Sequence, residues 1–241
     1  MVGKARARAN SCELVDIPIL SGVAAPDLKE LEQNCTVKTC EAGEAILGYL
    51  EQGDDVYFVL SGAARVIIYS AAGKAVGFRE LRPGDMFGEY AAIDGGVRSA
   101  SIEAETDCVV LIMPSSEFKN LLLKAPTVAF ALLQHFTQQL RLLTKRVYEF
   151  STLAVNNRIQ AELLRLARDS ARNGQMDRSA ARLFPSPKHA DIAARVSTHR
   201  EAVTRHLGQL TRDGIVERQG RALLIKDVVR LEQMVRQATG E

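Results

Sequence analysis

The chain lacks any apolar run near the roughly 18 residues that a membrane-spanning helix requires; Val109–Met113, VVLIM, is among its longest. It is therefore read as soluble. The basic start, MVGKARARAN, is not followed by the apolar segment of a secretory signal, and reads as a mobile tail. Cysteine is scarce. Cys12, Cys35, Cys40 and Cys108 form no C-x-x-C pair, which points to reduced structural thiols in a cytoplasm and offers no tight thiolate group for an iron–sulfur cluster. The four histidines, His135, His189, His199 and His206, stand at spacings that fit no zinc pattern, so no metal is expected. A nucleophile–base constellation is also missing, which argues against an enzyme.

At 241 residues the chain has room for two ordinary domains, and 46% hydrophobic with 25% charged residues is the balance of a globular protein. Its small net charge of +2 hides an asymmetry. Residues 1–155 carry 15 Lys and Arg against 19 Asp and Glu, whereas residues 156–241 carry 16 against 10. A basic C-terminal part suits a polyanionic partner, although a solvated charged surface gives the same excess.

From Val37 to Met113 the sequence reads as short strands broken by turns at QGDD, LSGA, SAAGK and RPGD, with period-two alternation in VYFVL and ARVIIY. That pattern predicts a β-sandwich or jelly roll, preceded by a short helix at APDLKELEQN. After Pro126 the period becomes helical, placing Phe130, Leu133, Phe136, Leu140, Leu143 and Val147 in one stripe. A helix of roughly 28 residues spans about 40 Å, longer than one small β-domain covers, so a partner helix from a second subunit is expected. A second helix, NRIQAELLRLARDSARNG, ends at a glycine stop, and QMDRSAARLFPSPK reads as a polar loop. The expected fold class is α+β, with a sensor domain at 1–125, a dimerisation helix and hinge at 126–155 and a winged helix-turn-helix at 156–241.

The segment RPGDMFGEYAAIDGGVRSAS concentrates unusual chemistry. Pro83 and Gly84 suit the centre of a type II turn. YAAID predicts one helical turn whose free N–H groups attract an anion, the missing Cβ atoms of Gly88, Gly95 and Gly96 allow close backbone approach, and Arg98 adds a fork for phosphate oxygens. Glu89 beside a phosphate makes sense if the ligand also offers a hydroxyl, as the ribose of a ring-closed nucleotide does; an ion pair with Arg98 capping an ordinary turn is the plain alternative.

The same segment, continued to SIEA, resembles the phosphate-binding cassette of cyclic-nucleotide-binding domains in the CRP/FNR family and in eukaryotic kinase regulatory subunits. The resemblance implies a ligand set of Gly88, Glu89, Tyr90, Ala91, Arg98, Ser99 and Ala100. In it Gly88 and Ser99 contact phosphate, Arg98 neutralises it and Glu89 holds the ribose 2′-hydroxyl. The family's Thr-Ser pair that reaches adenine from each subunit aligns with Leu143-Thr144 here, so Thr144 alone keeps a hydroxyl.

In SPKHADIAARVSTHREAVTRHLGQLTRDGIVERQGRALLIKD a short helix around Asp191–Arg195, a break near Val196 and Ser197, and a longer helix from about Thr198 make a helix-turn-helix. Ile192, Val196, Val203, Leu207 and Leu210 form its inner face, and Ser197 or Thr198 is the expected cap, with Glu201 closing a capping box. His199, Arg200, Glu201, Thr204 and Arg205 are left at the exposed N-terminal end, the part that meets base edges in a major groove. IVERQGRALLIKD adds a wing around Gln219 and Gly220. The histidines are read as DNA-facing or surface side chains. Arg200, Glu201 and Arg205 match the family's recognition helix, while Ser197 replaces a frequent glycine and His206 an apolar residue.

The resemblance implies a homodimeric regulator activated by cyclic AMP, acting on a palindromic DNA operator with RNA polymerase as a partner, in the cytoplasm and away from membranes. A same-fold regulator that is constitutive or answers to a redox, haem or other signal stays open, as does a nucleotide-binding regulatory subunit for a protein partner.

Overall fold

The computed structural model describes residues 7–8, 14–15, 17–69, 75–172 and 179–240. They form two compact units, Met1–Gln139 and Leu140–Glu241, whose division falls inside one long helix. No helix among the described residues is long and apolar enough to cross a membrane.

In the first unit the strands β1 (Ala7–Arg8), β2 (Thr36–Cys40), β3 (Ala45–Leu47), β4 (Val56–Ser61), β5 (Ala64–Tyr69), β6 (Ala75–Leu81), β7 (Met86–Phe87), β8 (Ser101–Ala104) and β9 (Cys108–Met113) make two antiparallel sheets. One runs β1-β2-β9-β4-β7 and the other β3-β8-β5-β6. Helices α1 (Ala25–Asn34), α2 (Glu89–Asp94), α3 (Ser115–Lys124) and the long α4 (Pro126–Thr152) complete the order to the first break. Ala7 and Arg8 pair with Val37 and Thr36, so these two residues of the expected tail are strand; the rest of MVGKARARAN lies outside the described residues.

The expected alternation in VYFVL does not appear as burial, since Val56, Tyr57, Phe58 and Val59 are all buried. The pleat still alternates, but it sorts them between two cores. Tyr57 and Val59 join Cys40, Leu81, Phe87, Ile102 and Val110 between the sheets, whereas Val56 and Phe58 join Leu31, Leu111, Phe118, Val128 and Leu132 under the helices. Both faces of the sheet are covered, and each such apolar side chain contributes roughly 1.5–3 kcal/mol. Cys35, Cys40 and Cys108 are buried and unbridged. Burial pushes the Cys35 thiol up to about 12 and Cys108 to about 11, which suppresses the thiolate and fits a structural role. Cys12 lies outside the described residues.

On α4, Val128 and Leu132 are buried and Phe136 packs on the helical core, whereas Phe130, Leu133, Leu140, Leu143 and Val147 are exposed. Five of the six predicted stripe residues thus remain uncovered in the single chain.

The second unit continues with α5 (Val155–Arg172), β10 (Ala181–Leu183), α6 (His189–Arg195), α7 (Arg200–Arg212), β11 (Val216–Gln219), β12 (Ala222–Ile225) and α8 (Val228–Thr239). Its sheet runs β10-β12-β11. β10 corrects the reading of QMDRSAARLFPSPK as loop: Ala181 and Leu183 are apolar, alternate across Arg182, and pair with Ile225 and Leu223. The expected glycine stop, Gly174, lies outside the described residues. The five residues of the predicted inner face, Ile192, Val196, Val203, Leu207 and Leu210, are buried in one core with Ile159, Leu163, Ile215 and Leu231.

A cluster of charges escaped the sequence reading. Glu149 at the end of α4 and Glu162 on α5 are each only 1% exposed. Arg165 Nη1 reaches Glu149 at 2.8 and 2.9 Å, Arg165 Nε reaches Glu162 at 2.9 Å, and Arg195 of α6 reaches Glu162 at 3.3 Å. Burial pushes the Glu162 carboxyl up, but Arg165, Arg195 and Arg146 outweigh it and hold the group below the usual carboxylate range. A depressed folded pKa gives stability that is complete above the unfolded value, about 4.3, and is lost as pH falls through the folded one. Glu162→Gln is expected to cost about 3 kcal/mol at neutral pH, with the deficit shrinking below about pH 4; urea unfolding over a pH series measures both. A cost that stays constant down to about pH 3 would contradict the ionic origin.

Candidate functional site

Strand β7 delivers the chain to Gly88, whose φ of 83° lies in the left-handed region and which caps the N-terminus of α2. Upstream, Gly84 has φ 90° and the Asp85 amide donates to Arg82 O at 2.9 Å, closing the expected turn around Pro83 and Gly84. A Cβ on Gly88 would lie 2.8 Å from Arg98 Nη1 and 2.9 Å from Asp55 O, so close approach is genuine there. A Cβ on Gly95 would meet no protein atom within 4 Å, and one on Gly96 only Asp94. Gly95 instead supplies the left-handed cap of α2, at φ 73°.

Arg98 is 4% exposed. Its amide donates to Glu51 O at 3.0 Å, its carbonyl accepts from Leu50 N at 2.9 Å, and Nη1 donates to Gly88 O at 2.8 Å. Its guanidinium lies over the Tyr57 ring at 5.6 Å, and that ring stacks on Phe87 at 5.1 Å. Glu89 opens α2 at 7% exposure. No Glu89–Arg98 ion pair forms among the described residues, so the plain capping-pair alternative does not hold: the arginine is tied to a carbonyl. Burial pushes the Glu89 carboxyl up, opposed by its own backbone amide, then Arg79 and then Arg98. Arg79 was not singled out from sequence, because FRE in a strand carries no motif; it pairs with Asp85 at 3.1 Å.

Ala91 is buried on α2, while Tyr90 is exposed with its ring 5.8 Å from Phe136. Ser99 is exposed and Ala100 half-buried just after Arg98. The fold therefore brings Gly88, Glu89 and Arg98 together, with Ser99 and Ala100 following. Thr144 belongs to the second unit, exposed on α4, and its hydroxyl donates to Leu140 O at 2.9 Å. Among the described residues no group of three or more His, Cys, Asp or Glu could hold a metal.

In the second unit His199, Arg200, Glu201, Thr204 and Arg205 are all exposed in the first turns of α7. The capping expectation fails. His199 is the N-cap, no side chain caps the helix, and the Thr198 amide donates to Ala193 O at 2.9 Å. Ser197 takes φ 52°, a left-handed geometry that explains why glycine suits this turn. His206 corrects the surface reading: it is 8% exposed and lies 3.1 Å from Gln160 Nε2. The amide nitrogen donates, so the imidazole Nε2 accepts and the ring is neutral, in keeping with a pKa lowered by burial. β11 and β12 form the predicted wing hairpin, turning at Gly220 with φ 60°.

A family model for the cyclic nucleotide-binding domain matches residues 37–125, and one for a Crp-like helix-turn-helix domain matches residues 157–234. The chain is 31% identical to the transcriptional regulator SdrP of Thermus thermophilus over 178 residues, 73% of this chain and 82% of SdrP. It is 25% identical to the CRP-like cAMP-activated global transcriptional regulator of Mycobacterium tuberculosis over 218 residues, 90% of this chain and 96% of that one. Among solved structures, the c-di-GMP responsive global regulator CLP of Xanthomonas campestris has the same fold at a TM-score of 0.71 and 18% identity, covering 84% of this chain and 99% of that one.

The buried Glu89 makes a prediction for the free protein. With its folded pKa raised, its contribution to stability is present at acid pH and is lost as pH rises through the folded value. Glu89→Gln is therefore expected to raise the melting temperature near pH 7.5, with the gain disappearing as the carboxylate range is reached. Thermal melts by circular dichroism check this, and a variant less stable than wild type near pH 7.5 refutes it.

Proposed function

The chain belongs to the CRP/FNR family of transcription regulators, and we propose that it works as a cytoplasmic homodimer, activated by cyclic AMP, that reads a palindromic operator in double-stranded DNA and engages RNA polymerase. The observation that carries the sensing half is a buried guanidinium bonded to the Gly88 carbonyl, with a buried carboxylate on the next residue. Arg98 has further donors for phosphate oxygens, and the missing Cβ of Gly88 leaves room for its guanidinium beside the backbone. Glu89 accepts from the ribose 2′-hydroxyl, and Tyr90, Ala91, Ser99 and Ala100 complete the wall.

Thr144 is the proposed contact to the adenine base. A threonine hydroxyl has one proton, and here it goes to Leu140 O. What remains is an acceptor, which suits an exocyclic base amine such as that of adenine. Leu143 supplies no hydroxyl beside it, so the base is held by less than in the family's Thr-Ser pair. That lack favours one second reading: the same switch answering to another ligand, as CLP is c-di-GMP responsive on the same fold.

The exposed stripe of α4 is proposed as the dimer seam, the partner helix covering Phe130, Leu133, Leu140, Leu143 and Val147. Each Thr144 then meets nucleotide held by the neighbouring subunit. Ligand favours DNA binding only if it prefers one arrangement of sensor and reader; the preferred one sets the recognition helices about 34 Å apart, one DNA turn. His199, Arg200, Glu201, Thr204 and Arg205 are the proposed reading surface.

Arg98→Ala and Glu89→Ala are each expected to weaken cyclic AMP binding by about 2–4 kcal/mol in calorimetric titration, with thermal melts confirming a folded sensor. Binding at wild-type strength in both variants would rule this pocket out. Thr144→Ala is expected to diminish the ligand's enhancement of operator affinity, read by fluorescence anisotropy, more than it diminishes ligand binding itself. An operator affinity equal with and without saturating cyclic AMP in wild type would sink the switch.

A further inference from the structure

Thr204 stands on the reading face of α7 with its hydroxyl committed on two sides. Thr137, Thr144, Thr152, Thr211 and Thr239 each bond back to the carbonyl one turn earlier, at 2.7–3.1 Å. Thr204 does the same to Arg200 O at 3.0 Å, and in addition meets Nδ1 of His189, the first residue of α6, at 2.8 Å. The hydroxyl has a single proton, and Arg200 O and His189 Nδ1 both stand in reach of it, so it is taken up within the protein by one or the other. Burial, Arg200 and Arg218 lower the His189 pKa, which favours the neutral ring.

No proton is left on Thr204 to give to thymine O4 or to guanine O6 and N7. Held by its oxygen toward α6 and its own backbone, the side chain has its γ-methyl as the group free to meet a base. Thymine is the base with a methyl in the major groove. We propose that Thr204 reads a thymine through methyl–methyl contact, and that His189 is the positioning residue that holds Thr204 in the rotamer required. The inference rests on the DNA-reading role proposed above. A lone pair remains on the hydroxyl, so an adenine or cytosine amine is the competing partner.

The test starts with selection of a half-site from a randomised duplex library by the full-length protein saturated with cyclic AMP. Each thymine of that half-site is then replaced singly by deoxyuridine, which removes the methyl alone. At one thymine per half-site the replacement is expected to weaken binding about 3- to 10-fold. Thr204→Val, which keeps the methyl, retains this thymine-to-uracil ratio, whereas Thr204→Ser brings it to about 1. His189→Ala lowers the ratio and His189→Asn, whose amide donates or accepts from nearly the same place, restores it. A ratio kept by Thr204→Ser overturns the proposal, because another group then meets the thymine methyl. So does a half-site in which no thymine responds. Failure to select any sequence over random DNA overturns the reading role itself, and this inference with it.

Discussion

The stretch Val56–Val59 of strand β4 has no solvent side, and the first unit is arranged around that constraint. A strand covered on both faces has to divide its side chains between two apolar spaces, so Val56 and Phe58 demand a layer of helices while Tyr57 and Val59 demand a second sheet. The neighbouring β9 divides in the same way, with Leu111 on one side and Val110 on the other. The candidate pocket is built at the margin of this arrangement. Tyr57 is the one member of β4 whose ring also meets Phe87 and the Arg98 guanidinium, so packing that closes the sandwich also supports the arginine.

The chemistry of that margin follows from unequal solutions to burial. Arg98 is kept below the surface by a carbonyl, a ring and two backbone bonds, all of which leave its charge intact. Glu89 has less compensation, and burial dominates its carboxyl. The free protein thus holds one well-supported cation beside one poorly supported acid, an arrangement in which a ligand bringing an anion and a hydroxyl donor together improves the surroundings of both.

Much of this was legible in the sequence because local chemistry spoke for itself. Gly84 and Gly88 occupy left-handed positions, the inner face of the helix-turn-helix follows its helical period, and Arg98 and Glu89 both lie beside Gly88. What was not legible depended on tertiary partners. VYFVL alternates in sequence, but its burial depends on a helical layer that no local pattern announces. The cap at His199 instead of Ser197 or Thr198 follows from Thr198 N being drawn to Ala193 O. His206 reads as a polar residue on a polar face until Gln160, 46 residues away, appears beside it. Glu162 and Arg165 stand at helical spacing on α5, but Glu149 and Arg195 join them from α4 and α6, and Arg79 meets Asp85 from another segment, so spacing along the chain does not announce these contacts.

The second unit sorts its arginines by depth. Arg165 and Arg195 are tied to carboxylates that are nearly sealed from water, whereas Arg200 and Arg205 stand in solvent. Mobile ions screen exposed charges over about 10 Å at 0.1 M and reach buried pairs poorly. Ionic strength therefore acts on the two sets differently. Rising salt screens the field of Arg200 and Arg205 and weakens any pairing they make with a polyanion, while the internal cluster keeps its carboxylates paired, so the unit's architecture is insulated from ionic strength that its surface feels.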